Sequence, residues 1–260
     1  MGSKIDLNFE VVDSKIVSPS MTLLKLRPFN GATLPPIFPG QFLNIFINHS
    51  QTFLRRPISI CNYDSQKNEI WIMVKKLGKG SEILCNSKVG DTYDIILPLG
   101  KGFSLPTGDN NGKILLIGGG VGIAPLYFFG QWLAMLDIKF TLLTGARSKN
   151  ELTFIDEFKE LCDVNICTDN GEEGFKGVVT DHPIMNNEWT RIYSCGPLPM
   201  MKAVAKVAVA KHIKCEVSLE NRMACGIGAC LCCVEQTVDG NQCVCTQGPV
   251  FNIEDLKWQN

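Results

Sequence analysis

The sequence predicts an antiparallel β barrel, then an α/β domain with a parallel sheet, then a small cysteine-rich piece. Three observations carry this. Short apolar runs separated by turn residues fill positions 5–100, strands and helices alternate from 113 to 211, and half of the 12 cysteines fall between Cys225 and Cys245. With 260 residues, 45% of them hydrophobic, the chain can bury more than one core. The expected boundaries are 1–104, 105–214 and 215–260.

In the first region the apolar runs are 9–12, 21–26, 41–47, 58–61, 70–74 and 92–97. Pro28-Phe29-Asn30-Gly31 and Pro39-Gly40 punctuate them as turns. Regular short strands without long helices between them suit a closed antiparallel barrel. Residues 80–86 are the exception, a short helix opened by glycine and serine. The glycine-rich stretch 99–112 reads as the link to the second domain.

The second region reads as strand 113–117, helix 121–136, strand 139–143, helix 151–161, strand 163–168, strand 191–194 and helix 199–211. Strands alternating with helices indicate a parallel sheet. Residues 114–136 are 23 positions without a charge, long enough to span a membrane. Gly118-Gly119-Gly120, Gly122 and Pro125 interrupt them, so a buried strand, a glycine loop and a packed helix explain the run better. The net charge of −1 gives no support for a nucleic acid or an anionic membrane as partner. No signal peptide opens the sequence, and cysteines in metal-ligand spacing suit a reducing cytoplasm.

Four motifs carry chemistry. Cys225, Cys230 and Cys233 have C-x4-C-x2-C spacing, the order of a plant-type [2Fe–2S] site. The fourth ligand is Cys245 or Cys243. Cys245 is favoured because Thr246-Gln247-Gly248-Pro249 can turn it back towards the others. Cys232, beside Cys233 on an extended loop, would point away. A structural zinc also accepts four thiolates, but Gly226-Ile227-Gly228-Ala229 offers the close backbone amides that sulfide needs.

The second motif is Gly118-Gly119-Gly120-Val121-Gly122, between strand and helix, where a pyrophosphate can approach backbone N–H groups and a helix N-terminus. A tight turn holding no ligand would look the same. The third, Ser194-Cys195-Gly196-Pro197, ends a later strand of the same sheet and marks the other wall of a cleft. A free cysteine there can also be a small buried residue. The fourth is Arg55-Arg56-Pro57-Ile58-Ser59 in the barrel, a cation, a rigid turn and a hydroxyl at a strand start. Gly78-Lys79-Gly80-Ser81 is a second candidate phosphate seat.

R-P-x-S in a barrel, then G-G-G-x-G-x-A-P, then C-G-P, resembles the ferredoxin–NADP⁺ reductase superfamily. The tail from Glu220 to Cys230, with Cys245 leading into Gly248-Pro249-Val250-Phe251, resembles the electron-transfer subunits of dihydroorotate dehydrogenase B. The resemblance implies an FAD site at Arg56, Pro57, Ile58 and Ser59, with Met73, Val74 and Lys75 on the next strand and Gly80 and Ser81 at the pyrophosphate. It implies NAD at Gly118, Gly119, Gly120 and Gly122, flanked by Gly196 and Pro197, with Cys195 as the candidate catalytic thiol. It implies a [2Fe–2S] cluster on Cys225, Cys230, Cys233 and Cys245. Cys232 and Cys243 depart from the pattern, as does Asn170 in the turn Thr168-Asp169-Asn170-Gly171.

Nicotinamide exchanges two electrons as hydride, a cluster exchanges one, and a flavin exchanges either. No region remains to bind an organic substrate. The expectation is therefore an oxidoreductase subunit: an FMN-containing partner oxidises dihydroorotate, in a heterotetramer of two copies each, and this chain passes the electrons through [2Fe–2S] and FAD to NAD⁺. The alternative is the flavin and iron–sulfur subunit of a ferredoxin-dependent NADP oxidoreductase or sulfide dehydrogenase. Arg147 and Lys149 bear on that choice, since they could reach a ribose phosphate or simply form a solvated loop.

Overall fold

The computed structural model describes residues 4–106 and 113–258; positions 107–112 of the expected linker lie outside them. Six strands close the barrel: β1 (Ile5–Ser18), β2 (Met21–Pro28), β3 (Phe42–Phe46), β4 (Arg56–Asp64), β5 (Glu69–Lys75) and β6 (Thr92–Leu99), in the order β1-β2-β5-β4-β3-β6. Side chains on a strand alternate between faces. The pairs Phe9/Val11, Leu24/Leu26, Leu43/Ile45, Ile70/Ile72 and Ile95/Leu97 are accordingly fully buried inside it. Helix α1 (Lys79–Cys85) follows β5.

The second sheet is built from β7 (Ile114–Gly119), β8 (Thr141–Ala146), β9 (Asp163–Thr168), β10 (Phe175–Lys176), β11 (Arg191–Cys195), β12 (Lys214–Ser218) and β15 (Val250–Asn252). Its order is β10-β9-β8-β7-β11-β12-β15. The chain leaves β7 on one side and returns to β11 on the other, so the strand order reverses between them. Ligands of open α/β sheets bind at the strand ends beside such a reversal. The last strand pairs antiparallel with β12. The cysteine-rich piece is therefore anchored in the nucleotide-domain sheet, apart from its own hairpin of β13 (Val234–Thr237) and β14 (Gly240–Cys243).

Helix α2 (Ile123–Met135) is buried on most sides, which explains its uncharged sequence. It packs between sheet and barrel: Phe129 meets Phe103 and Tyr193 at ring distances of 5.0 and 4.6 Å, and Phe128 joins the barrel core. The Tyr193 hydroxyl donates to the Ser104 carbonyl at 2.8 Å, so the start of the linker is pinned. No helix among the described residues is long and apolar enough to cross a membrane. Helix α3 spans only Ile155–Lys159, shorter than the expected 151–161. Phe154 caps it with φ of 58° and stacks on Tyr127 at 4.3 Å; burying that ring takes the backbone out of helical conformation. Helix α4 (Leu198–Ala210) runs back from β11 to β12.

Candidate functional site

All nine barrel residues singled out by sequence line one cavity of about 590 Å³: Arg56, Pro57, Ile58, Ser59, Met73, Val74, Lys75, Gly80 and Ser81. Strands β4 and β5 supply the first seven, and the first turn of α1 supplies the last two. Arg56 lies across Gly80, where a Cβ would come within 2.8 Å of its Nε. Only glycine lets the guanidinium rest on that turn. Its neighbour Arg55 faces elsewhere: it pairs with Asp94 at 2.8 Å and donates to the carbonyl of Asn44 at 3.3 Å. The Ser81 hydroxyl is occupied locally, accepting from the N–H groups of Leu77 and Gly78 at 2.8 and 3.0 Å. It shapes the turn rather than presenting a free donor.

The opposite wall gathers residues that the sequence did not place together. Val121 and Ala124 come from the nucleotide domain, Phe42 from β3, and Leu219 to Met223 with Pro249 from the C-terminal piece. Glu220 is open to the cavity. Burial raises its carboxyl pKa, and Lys75 pulls it back.

A second cavity, of about 400 Å³, lies at the strand-order reversal. Gly119, Gly120 and Pro197 line it with Arg147, Glu151 and Asp169. The glycine run divides by task. A Cβ on Gly122 would sit 2.4 Å from the Cys195 carbonyl oxygen, and one on Gly119 would sit 2.9 Å from Pro197 Cδ. On Gly118 it would crowd the start of α2, 3.3 Å from Ile123 Cα. Gly120, with φ of 55°, has only Lys75 Nζ nearby, at 3.8 Å. Gly118, Gly122 and Gly196 line neither cavity; each sits where another segment packs closely, Gly118 against α2, Gly122 against the Cys195 backbone and Gly196 against Gly119 and Met200. Cys195 also lines neither. It is buried, and burial pushes its thiol pKa up. Its side chain lies behind the walls of both cavities. Lys149 pairs with Glu173 at 2.9 Å, which leaves Arg147 as the exposed cation of its loop on the cavity.

The cysteine loop starts two residues after Met223. Gly226 and Gly228 have φ of 70° and 90°, which wraps the chain around Cys225. The N–H groups of Ile227, Ala229 and Cys230 point at Cys225 Sγ from 3.5, 3.3 and 3.4 Å, and the Cys245 N–H points at Cys233 Sγ from 3.4 Å. For Cys225, burial works to raise the pKa, but the N–H donors and the Cys230 thiol outweigh it and lower it to about 6. Burial and the adjacent Cys233 push Cys245 up to about 12. Among the described residues no three such side chains converge closely enough to hold a metal ion as they stand. The donor set nevertheless fits an iron–sulfur group: its sulfur acceptors are already met by backbone N–H donors. Cys232 Sγ donates to the Arg222 carbonyl, at 3.9 Å. Cys243 stays beside Cys233.

Asn44 of β3, fully buried, donates its Nδ2 to the Cys225 carbonyl at 2.9 Å. Phe42, two residues earlier, lines the first cavity. One strand thus touches both sites. Exposed apolar residues flank the loop: Phe53 is 88% exposed, and Leu54, Ile227 and Leu231 are also exposed.

Comparison with known proteins agrees with this division. Residues 8–103 match the oxidoreductase FAD-binding domain, 116–206 the oxidoreductase NAD-binding domain, and 220–257 the iron–sulfur cluster binding domain of dihydroorotate dehydrogenase B. The chain is 37% identical to the dihydroorotate dehydrogenase B (NAD(+)) electron transfer subunit of Shouchella clausii, over 84% of this chain and 86% of that one. It is 38% identical to the Bacillus cereus (strain B4264) protein of the same name, with the same coverage. Among solved structures, a chain of an NADH-dependent reduced ferredoxin–NADP oxidoreductase superposes with a TM-score of 0.83 at 31% identity, covering 97% of this chain and 90% of that one. The FAD/NAD-binding domain of a Vibrio cholerae nitric oxide dioxygenase shares the fold, with a TM-score of 0.71 at 23% identity over 81% of this chain and 98% of that one.

Proposed function

Because the chain belongs to the family of dihydroorotate dehydrogenase B electron transfer subunits, we propose that it takes electrons from a catalytic partner chain and delivers them to NAD⁺ in pyrimidine biosynthesis. One observation carries this reading: the 590 Å³ cavity stands between the other two sites. Through Lys75 it adjoins the nucleotide cavity, and through Arg222 and Met223 it adjoins the loop of Cys225.

FAD, when bound, exchanges electrons singly or in pairs, which is the chemistry required between a one-electron cluster and a hydride carrier. The chain's own residues hold and orient. Arg56 neutralises a flavin phosphate, while Pro57, Ile58 and Ser59 with Met73 and Val74 wall the ring. Gly119 and Gly120 give NAD close backbone approach, with Pro197 opposite. Cys225, Cys230, Cys233 and Cys245 would hold [2Fe–2S], with Cys230 the exposed one of the four. The partner is an FMN-containing subunit that oxidises dihydroorotate, two copies of each chain forming the complex. The exposed apolar residues Phe53, Leu54, Ile227 and Leu231 around the loop support docking there. All twelve cysteines are unpaired, which supports a cytoplasmic setting.

The likeness to the ferredoxin–NADP oxidoreductase chain favours a second reading, the flavin and iron–sulfur subunit of a ferredoxin-dependent NADP oxidoreductase. The curated relatives and the matched cluster domain weigh for the first. Anaerobic NADH added to the loaded chain should bleach the flavin absorbance and then that of the cluster. If the flavin stays oxidised, the proposed order of carriers is wrong.

A further inference from the structure

Lys75 is the one residue among those described that lines both the flavin cavity and the nucleotide cavity. It ends β5 of the barrel, and its Nζ lies 3.7 Å from the carboxylate of Glu151, in the turn after β8. Among the described residues this is the only ion pair joining the barrel to the nucleotide domain. Both partners are about three-quarters buried, with side-chain exposures of 26% and 26%. Nζ also lies 3.8 Å from the position a Cβ would take on Gly120, the open left-handed glycine of the β7–α2 turn. A pyrophosphate resting on that turn and the Glu151 carboxylate would therefore draw on the same ammonium group.

We propose that Glu151 is a positioning residue, a built-in competitor that holds Lys75 until the pyrophosphate of a nicotinamide dinucleotide displaces it. This rests on reading the Gly119–Gly120 cavity as the nucleotide site. Glu220 also faces Lys75 from the flavin cavity, and Glu151, the lysine's one ion-pair partner among the described residues, keeps the ammonium group from fixing on one anion. It thereby sets how tightly the nucleotide is held, so that the product can leave. A part-exposed pair of this kind is worth up to about 1 kcal/mol, or about fivefold in affinity.

The test uses the oxidised chain loaded with flavin and cluster, and titrates NAD⁺ and inorganic pyrophosphate by calorimetry. Glu151→Gln should tighten both about two- to fivefold, with flavin and iron contents unchanged. Lys75→Met should weaken both. In the Lys75→Met background, Glu151→Gln should add nothing, because the carboxylate acts through the lysine. Equal tightening in both backgrounds would mean that Glu151 repels the ligand directly, and would overturn the proposal, as would no tightening in either. Gly120→Ala separates the two levels. It should weaken NAD⁺ by placing a methyl where the phosphates approach. If it does not, the placement of the nucleotide is wrong; if it does while Glu151→Gln has no effect, only the competition is wrong.

Discussion

Asn44 Nδ2 donates to the carbonyl of Cys225 at 2.9 Å, across 181 positions of sequence, and so ties the flavin barrel to the cysteine loop. The contact is close: a Cβ on Gly226 would come within 2.6 Å of the same Nδ2. The Asn44 Oδ1 is buried without a partner, a cost tolerated where the amide has another task. Asn44→Ala should leave flavin content unchanged and loosen the loop by about 1 kcal/mol, which is about fivefold in an equilibrium. Loss of iron to a chelator should be correspondingly faster. Unchanged release would show that the loop holds its own shape.

Six serine variants separate the thiols. Loss of Cys225, Cys230, Cys233 or Cys245 should abolish stoichiometric iron and acid-labile sulfide. Cys232→Ser should retain both, since that sulfur faces the Arg222 carbonyl. Cys243→Ser is the sharper comparison, because Cys243 lies beside Cys233. Retention of the cluster in Cys243→Ser with loss in Cys245→Ser assigns the fourth ligand to Cys245; the reverse result assigns it to Cys243.

The glycines of the β7–α2 turn should differ in tolerance. At Gly122 a methyl group would meet the Cys195 backbone at 2.4 Å, and backbone cannot swing aside. Gly122→Ala should cost about 3 kcal/mol, read as a lower urea midpoint. Gly120→Ala, with only flexible Lys75 nearby, should cost no more than about 1–2 kcal/mol for its left-handed φ. Equal losses would contradict this division.

Gly80→Ala should mimic Arg56→Ala. The added methyl displaces the guanidinium, a flexible group, so flavin retention should fall about tenfold or more with little change in melting temperature. Full flavin retention in Gly80→Ala would show that Arg56 does not need to rest on that turn.

In metal-free chain, Cys225 should be the first thiol alkylated by iodoacetamide at pH 7. Its pKa is lowered to about 6, so the thiolate is present above that value and is lost as pH falls through it. Cys162, pushed up to about 12 by burial, should stay unlabelled. Mass spectrometry of peptides labelled at pH 5 and pH 7 reads both.

Sequence revealed the barrel wall of the flavin cavity because its residues are consecutive: Arg56 to Ser59 open one strand and Met73 to Lys75 close the next. The facing wall was hidden because Phe42, Val121 and Leu219 to Met223 come from three separate segments, and no spacing in the chain relates them. The glycine run was legible as a strand–helix turn. Which glycines face a ligand depends on what packs behind them, and Cys195, 73 residues beyond Gly122, is invisible to a local motif. Strand β15 has three residues, too few to show a period, so its place in the nucleotide-domain sheet could not be read. Phe154 broke the expected helix through a tertiary contact with Tyr127, which outweighs local propensity.

The central claim is transfer from a dihydroorotate-oxidising partner through this chain to NAD⁺. The most direct measurement mixes the loaded chain with the catalytic partner subunit under anaerobic conditions and follows NADH absorbance after dihydroorotate is added. The predicted result is NADH formation that requires both chains and disappears in Cys225→Ser. NADH formation without this chain, or none with both chains loaded and associated, would contradict it.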